Sequence, residues 1–260
     1  MTGESQAVGL SDVSVLIPSS ADEAVAAFGD GKDVTVVAGG TIVLPDLVAG
    51  RLRPKSALFL GRAGLSGIAR ADGRVTIGAA TPVSDLADAD APLAEAARHV
   101  GDLEVRAQAT VGGNLCSVAS DDAPRGDLQA PLLALAASVR STGKDGEKTE
   151  PLEDFLADGA GRLVLDVSYD DAPRQAGYAS VWRPHTHHYT ILAVAAAKRD
   201  GELRVAATGV GPKAVLVSPD DPLAALELRD DPLASAWYRA RLLPRLVERA
   251  LAILEGHEND

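Results

Sequence analysis

Residues 36–41 read Val36-Val37-Ala38-Gly39-Gly40-Thr41, and residues 110–115 read Thr110-Val111-Gly112-Gly113-Asn114-Leu115. Each glycine pair follows an apolar run and has a hydroxyl-bearing neighbour. Glycine reaches backbone angles that other residues avoid, and it lets a ligand approach the main chain. Successive free N–H groups in such a turn form a nest suited to phosphate oxygens, and a helix starting there adds its dipole. Thr41 offers a hydroxyl donor. The spacing is not the G-x-G-x-x-G of a Rossmann fingerprint. Singly, each pair also fits an ordinary strand-to-helix turn. Together they can grip both phosphates of a pyrophosphate from opposite sides, which makes a dinucleotide a reasonable ligand. On that reading, Gly39→Val or Gly113→Val abolishes retention by screening the backbone from the phosphates.

Around the first pair, the β-branched run Val13–Ile17 predicts a strand ended by Pro18, Ser19 and Ser20. Ser20 followed by Glu23 is a capping-box pattern, so Ala21–Phe28 is a short helix. Asp33–Ala38 is a second strand, and Ile42–Val48 can be helical despite Pro45. Ser56–Leu60 is a third strand. Ile68–Arg70 and Val75–Ala79 flank Asp72-Gly73, a hairpin signal. Pro82–Leu86, Leu93–Val100, Asp127–Ala134 and Pro151–Leu156 look helical. Ser138–Thr142 and Leu163–Tyr169 are strands, with Gly143–Glu150 a polar turn between the first of them and the Pro151 helix. Asp170–Gln175 is a linker candidate. Beyond it lie Ala176–Trp182, then Tyr189–Lys198 and Leu203–Gly209 about a second hairpin signal, Asp200-Gly201. Ser235–Leu254 closes the chain as an amphipathic helix whose Arg239, Arg241, Arg245, Glu248 and Arg249 read mostly as a solvated face. The class is α+β, with two or three subdomains.

The 260 residues carry a net charge of −12, with 46% apolar and only 3% aromatic residues. Leu, Val and Ala must therefore fill the core. Nucleic acid is a poor partner for so acidic a chain, because phosphate contacts need clustered Lys and Arg. No run of about 18 apolar residues is present, so no membrane span is expected. Met1–Ser11 lacks the basic and apolar regions of a secretory signal, which makes the expected location cytoplasmic. Cys116 is the single cysteine. It reads as a small buried residue, and alone it cannot hold an iron–sulfur cluster, which usually takes four ligands.

Several longer segments resemble one family. VVAGGTIVLPDL (36–47), SALFLGR (56–62) and GRVTIGAATPVSDLAD (73–88) resemble the opening half of the flavin subunits of molybdenum hydroxylases. So do VGDLEVRAQATVGGNLC (100–116) and DLQAPLLAL (127–135). Order and spacing agree over about residues 10–170, and the tail from Tyr178 to Gly211 resembles the family's smaller C-terminal domain. The resemblance implies the PCMH-type FAD-binding fold of the xanthine dehydrogenase and carbon monoxide dehydrogenase flavoproteins. Its units would be residues 1–55, 56–172 and 176–260. It implies a noncovalent FAD whose pyrophosphate is wrapped by Val36, Val37, Ala38, Gly39, Gly40, Thr41 and Ile42. Thr110, Gly113 and Asn114 would hold its other side. Asp127 would lie near the ribityl or phosphate region, although Asp is also a common helix N-cap. Val164 would touch the isoalloxazine. The usual partners would be an iron–sulfur small subunit and a molybdopterin large subunit, with NAD, oxygen or quinone as electron acceptor.

The chain departs from the family's pattern in places. Residues 117–126 (SVASDDAPRG) run a few residues longer, with Asp121 and Asp122 reading as loop charges. Ser180 stands where a basic residue is common, with Arg183 the nearest substitute. Leu216 stands where an Arg is usual. Trp182, Arg183, His185, His187 and His188 form a cluster with no supporting Cys or His group, so no metal is expected. Trp182 or Tyr189 could stack on a flavin ring, and His185 or His188 could shuttle a proton. These features leave two further readings open: a stand-alone FAD enzyme acting directly on a small molecule, and a non-catalytic flavin-binding interaction module.

Overall fold

The computed structural model describes residues 13–118, 126–172, 174–183 and 189–257. Its first layer holds β1 (Ser14–Leu16), α1 (Ala21–Phe28), β2 (Val34–Val37), α2 (Val43–Val48) and β3 (Ser56–Phe59). The strand order is β1-β3-β2, parallel throughout. Parallel neighbours need crossovers; α1 leads to β2, and the first glycine pair with α2 leads back to β3. Ser20 caps α1 as expected, accepting from the Glu23 N–H at 3.2 Å. Glu23 does not return to Ser20. Its carboxylate accepts from the Ser19 N–H and the Ser19 hydroxyl, each at 2.7 Å.

The second layer contains β4 (Ile68–Ala71), β5 (Arg74–Gly78), β6 (Ser138–Thr142), β7 (Lys148–Pro151) and β8 (Leu163–Asp170), in the order β4-β5-β8-β6-β7. All pairs are antiparallel. Asp72 and Gly73 make the β4–β5 turn with φ of 52° and 71°, as their dipeptide predicts. Strand β7 lies partly inside the expected polar turn. It is an edge strand of charged and exposed residues, a common way to blunt an edge, so it lacks the alternation by which strands are recognised. Helices α3 (Leu93–Ala97), α4 (Leu103–Gln108), α5 (Val111–Leu115), α6 (Gln129–Ala134) and α7 (Leu152–Asp158) accompany this sheet, with a 3₁₀ turn at Val83–Asp88. Central β8 is buried on both faces. Leu163 and Leu165 pack with α1 and β3, while Val164, Val167 and Tyr169 join the main core.

The third layer is an antiparallel sheet of β9 (Gln175–Trp182), β10 (Thr190–Arg199), β11 (Glu202–Thr208) and β12 (Val215–Leu216). Asp200 and Gly201 form its hairpin turn with φ of 50° and 86°. The two faces of β10 follow the strand period of two. Ala193, Ala195 and Ala197 join the main core, whereas Leu192, Val194 and Ala196 pack with α8 (Ala236–Leu254). One expectation for α8 fails. Arg239 is only 1% exposed. It pairs with Asp231 at 2.5 Å and donates to the carbonyls of Ile191 and Gly209. Two carbonyls at strand ends and one carboxylate satisfy the buried guanidinium, as a buried charge requires. Charge alone could not reveal that pairing from sequence.

Candidate functional site

The first glycine pair leaves the C-terminal end of β2. Gly40 has φ +72°, the left-handed region that favours glycine. Among the described residues, the N–H groups of Gly39, Gly40, Thr41 and Ile42 donate to no protein acceptor. All four residues are half-buried. Unpaired main-chain donors are rare in folded proteins, and a consecutive run of them is the nest geometry that receives an anion. Gly39 has another task. A Cβ there would fall 1.9 Å from the Gln108 carbonyl oxygen and 3.0 Å from Ala109 Cα. The loop thus lies against the backbone just ahead of Thr110, which brings the two glycine regions together.

The second pair is knitted into the protein. Thr110 caps α5, its hydroxyl accepting from the Gly113 N–H at 3.2 Å. Val111 donates to Thr81, Gly112 to Ala79 and Asn114 to Thr110, with distances of 2.8–2.9 Å. A Cβ on Gly112 would meet Ala79 at 2.8 Å, whereas Gly113 is exposed and would meet only the Thr110 hydroxyl, at 2.9 Å. Asn114 also works inward. Its Oδ1 accepts from the Leu128 N–H at 2.9 Å, and its side chain lies near the Asp127 carboxyl, where it favours the charged form. Neighbouring Gln129 is fully buried. It donates to Leu115 and Ser117 and accepts from Ala214, fastening α5 and α6 to the segment ahead of β12.

Asp127 is not the N-cap of α6, since Leu128 occupies that position and no side chain caps it. Its carboxyl faces a seam between the second and third layers. Burial pushes its pKa up, opposed by hydrogen-bonding groups of Thr190 and Asn114 and by His99. His99, just beyond α3, has its Nδ1 2.8 Å from the Glu95 carbonyl oxygen. A carbonyl only accepts, so that nitrogen carries the hydrogen. The His99 ring lies 4.7 Å from that of Trp182 and 5.8 Å from that of Tyr178. His99, Tyr178 and Thr190 were not legible as site residues. The available signal was the alternation Tyr178, Ser180, Trp182, which puts polar and aromatic groups on one strand face.

The other expected positions divide. Val36 and Ala38 pack beside the first-layer core, and Val37 is buried. Val164 is 4% exposed and belongs to the main core, so it offers a ligand little surface. Cys116, read as buried, is exposed at the end of α5. Trp182 and Tyr189 are exposed, at 39% and 38%. Arg183 is exposed, and Leu216 packs against the main core. Asp121, Asp122, His185, His187 and His188 lie outside the described residues. A separate hollow of about 510 Å³ is lined by Asp90, Ala91, Asp171, Ala172, Arg174 and Ala176. None of the expected site residues borders it. Arg70 bridges its carboxylates Asp90 and Asp171.

This arrangement has known counterparts. The carbon monoxide dehydrogenase medium chain of Hydrogenophaga pseudoflava is 33% identical over 147 residues, covering 54% of this chain and 50% of that one. The match thus spans about half the length of that relative. The nicotine 6-hydroxylase medium subunit of Paenarthrobacter nicotinovorans is 25% identical over 210 residues, or 74% of this chain and 72% of the other. A solved structure of carbon monoxide dehydrogenase from Hydrogenophaga pseudoflava superposes with a TM-score of 0.81, at 24% identity over 95% of this chain and 98% of that one. For quinoline 2-oxidoreductase from Pseudomonas putida 86 the TM-score is 0.78, at 20% identity over 94% and 98%. These structural likenesses establish the fold. The family profile described as the FAD binding domain in molybdopterin dehydrogenase matches residues 11–167. A match over more than half of the chain settles the kinship: the protein belongs to the FAD-binding family of the molybdopterin dehydrogenases, and FAD is that domain's cofactor.

Proposed function

We propose that this chain is an electron-carrying flavin subunit of a molybdenum-containing dehydrogenase. The observation that carries the reading is the run of unpaired N–H groups from Gly39 to Ile42. When bound, FAD supplies a store for two electrons. The protein supplies grip and orientation. Val36, Val37 and Ala38 anchor the loop, and the N–H groups of Gly39, Gly40, Thr41 and Ile42 receive the diphosphate. Thr110 and Gly113, whose hydroxyl and N–H are paired with each other, border it from the other side and brace the loop. Asn114 positions Asp127, whose carboxyl can share a proton with a neutral hydroxyl or carbonyl, and Val164 backs the site from the core.

Other features support partners. The relatives are named medium chain and medium subunit, which fits an assembly with an iron–sulfur small subunit and a molybdopterin large subunit. One cysteine cannot ligate a cluster, so on this reading electrons arrive from a cluster outside these residues and leave to NAD, oxygen or quinone. The three sheets support a division into units at 1–55, 56–172 and 176–260. Among the described residues no helix is long and apolar enough to cross a membrane, in keeping with a cytoplasmic enzyme.

The test is an absorption spectrum of the purified protein, followed by release and chromatography of any chromophore. We expect intact FAD that is reduced only when partner chains and their substrate are present. Direct turnover of a small molecule by the isolated chain would make it a stand-alone flavoenzyme. Bound flavin that nothing reduces would make it a binding module. A colourless protein that takes up no added FAD overturns the reading.

A further inference from the structure

Helix α8 packs its inner face on the third sheet through Leu243, Leu246, Val247 and Ala250. On its other side, Trp237, Arg241, Arg245 and Arg249 follow at four-residue steps, which puts them on one stripe. All four are exposed. Trp237 is 67% exposed and its neighbour Tyr238 40%. The whole chain has only two Trp, four Tyr and three Phe, so two of these side by side in solvent call for a cause. The Arg241 guanidinium lies 5.2 Å from the centre of the Trp237 ring, a cation–π contact.

The charges of the stripe are equally unusual. Elsewhere on this acidic surface exposed arginines find carboxylates, as Arg51 finds Asp46 and Arg98 finds Glu95. Arg241, Arg245 and Arg249 form no ion pair with any described residue. Glu248 is the only acidic residue of α8. In a chain with a net charge of −12 the stripe is a local reversal of sign. Trp, Tyr and Arg are also the side chains that carry most of the energy at protein interfaces.

The complement is present in the same chain. The segment leading into α8 presents Asp220, Asp221, Glu227 and Asp230, all exposed, with Arg229 the one cation among them. Asp230 is fixed at the start of the helix, where it accepts from the Ala236 N–H at 2.6 Å. Acid thus stands at the N-terminal end of α8, and base runs from there toward its C-terminal end. Two copies with their α8 helices antiparallel across a two-fold axis would set each basic stripe against the other's acidic segment. Such a surface is self-complementary, as an isologous contact requires. The net charge on each copy opposes approach at long range. At physiological salt the screening length is only about 8 Å, so contact pairs outlast that repulsion.

We propose that the outer face of α8 is a self-association surface, its basic and aromatic stripe docking on the acidic 220–230 segment of a second copy of this chain. The contact uses no residue of the Gly39–Ile42 loop and does not depend on the FAD reading.

The experiment is sedimentation velocity on the full chain at concentrations up to about 100 μM, where a micromolar dissociation constant is visible. One variant carries Arg245→Glu and Arg249→Glu, the other Asp220→Lys and Asp221→Lys. All four positions are exposed, so both should keep the wild-type thermal midpoint. The wild type should dimerise. Each variant alone sets like charges together and should dimerise at least roughly tenfold more weakly. An equimolar mixture should recover the dimer, because the glutamate stripe then meets the lysine segment while the native stripe meets native acid. A monomeric wild type overturns the inference, as does a dimer that neither variant weakens. Two folded, monomeric variants that fail to recover on mixing overturn it too. Should a charge swap lower the midpoint, Trp237→Ala decides instead, and a dimer as strong as the wild type's overturns the inference. If the wild type stays monomeric while its stripe binds anionic vesicles or a short DNA duplex, the stripe serves a different polyanion and self-association is wrong.

Discussion

The two glycine pairs look alike in sequence and do different work. Both place their first glycine where the backbone is pressed against another segment: Gly39 against Gln108, Gly112 against Ala79. Both leave the second glycine more open. They differ in their N–H groups. Those of Gly39–Ile42 have no acceptor among the described residues, while those of Val111–Asn114 are all committed within the protein. On the proposed reading the first pair is the one free to receive an anion. The second is a brace that sets the first loop's position through residues 108–110 and sets Asp127 through Asn114. A dipeptide motif reports that the backbone must come close to something, and only the hydrogen-bond account says whether that something is protein or ligand.

Gly39→Val should give the largest effect. Its Cβ would fall 1.9 Å from a backbone oxygen, and neither loop can yield without displacing the other. We expect a stability loss of about 3 kcal/mol in urea denaturation, together with loss of bound FAD. The steric cause is contact with protein, not the screening of phosphate suggested by sequence alone. A variant with wild-type stability would break the claim that the loops are mutually supported.

Gly112→Ala and Gly40→Ala sharpen the contrast as a pair. At Gly112 the added methyl meets Ala79 backbone atoms at 2.9 and 3.2 Å, so stability should fall by about 1–3 kcal/mol while the folded fraction still binds FAD. At Gly40 the methyl meets the half-exposed Leu44 side chain, with Val37 at an ordinary 3.7 Å, but φ is +72°. The left-handed geometry should cost about 1 kcal/mol, and any relaxation swings the unpaired donors away. FAD affinity should then fall roughly tenfold, a difference of about 1.4 kcal/mol. Equal FAD losses in both variants, measured per folded molecule, would erase the distinction between nest and brace.

Much of this was legible in the chain. Hydrophobic patterning located β6, β8, α1 and α8, and Asp-Gly turns located both hairpins. Strand β7 was hidden because an edge strand needs only backbone pairing. The buried Arg239 was hidden because its partners are carbonyls, which have no letter in a sequence. The seam was hidden for a related reason: His99, Tyr178 and Thr190 come from separate elements and meet only when the third sheet packs on the second. The glycine pairs announced a backbone-lined site, but the division of labour between them is a property of hydrogen bonds that residue types do not specify.

The smallest effect is a pH dependence that tests the brace. Asn114, in the second pair, helps hold Asp127 in the seam, and burial raises that carboxyl's pKa. The folded protein therefore keeps the proton at pH values where the unfolded chain has released it. Below the unfolded chain's ordinary carboxylate value both states are protonated and the folded state pays nothing. As pH rises through the window up to the folded value, stability falls, because the native state binds more protons than the unfolded one. Asp127→Asn cannot ionise and should remove this segment of the curve. Flavin-free protein carrying that change should be more stable than the wild type near neutral pH and equal to it in acid, read as the shift in urea midpoint across the pH series. The opposite sign, with wild type gaining stability as pH rises through the window, would mean that the carboxylate is paired in the folded state. The seam would then hold a carboxylate, and the second pair, through Asn114, would brace a charge rather than a neutral acid.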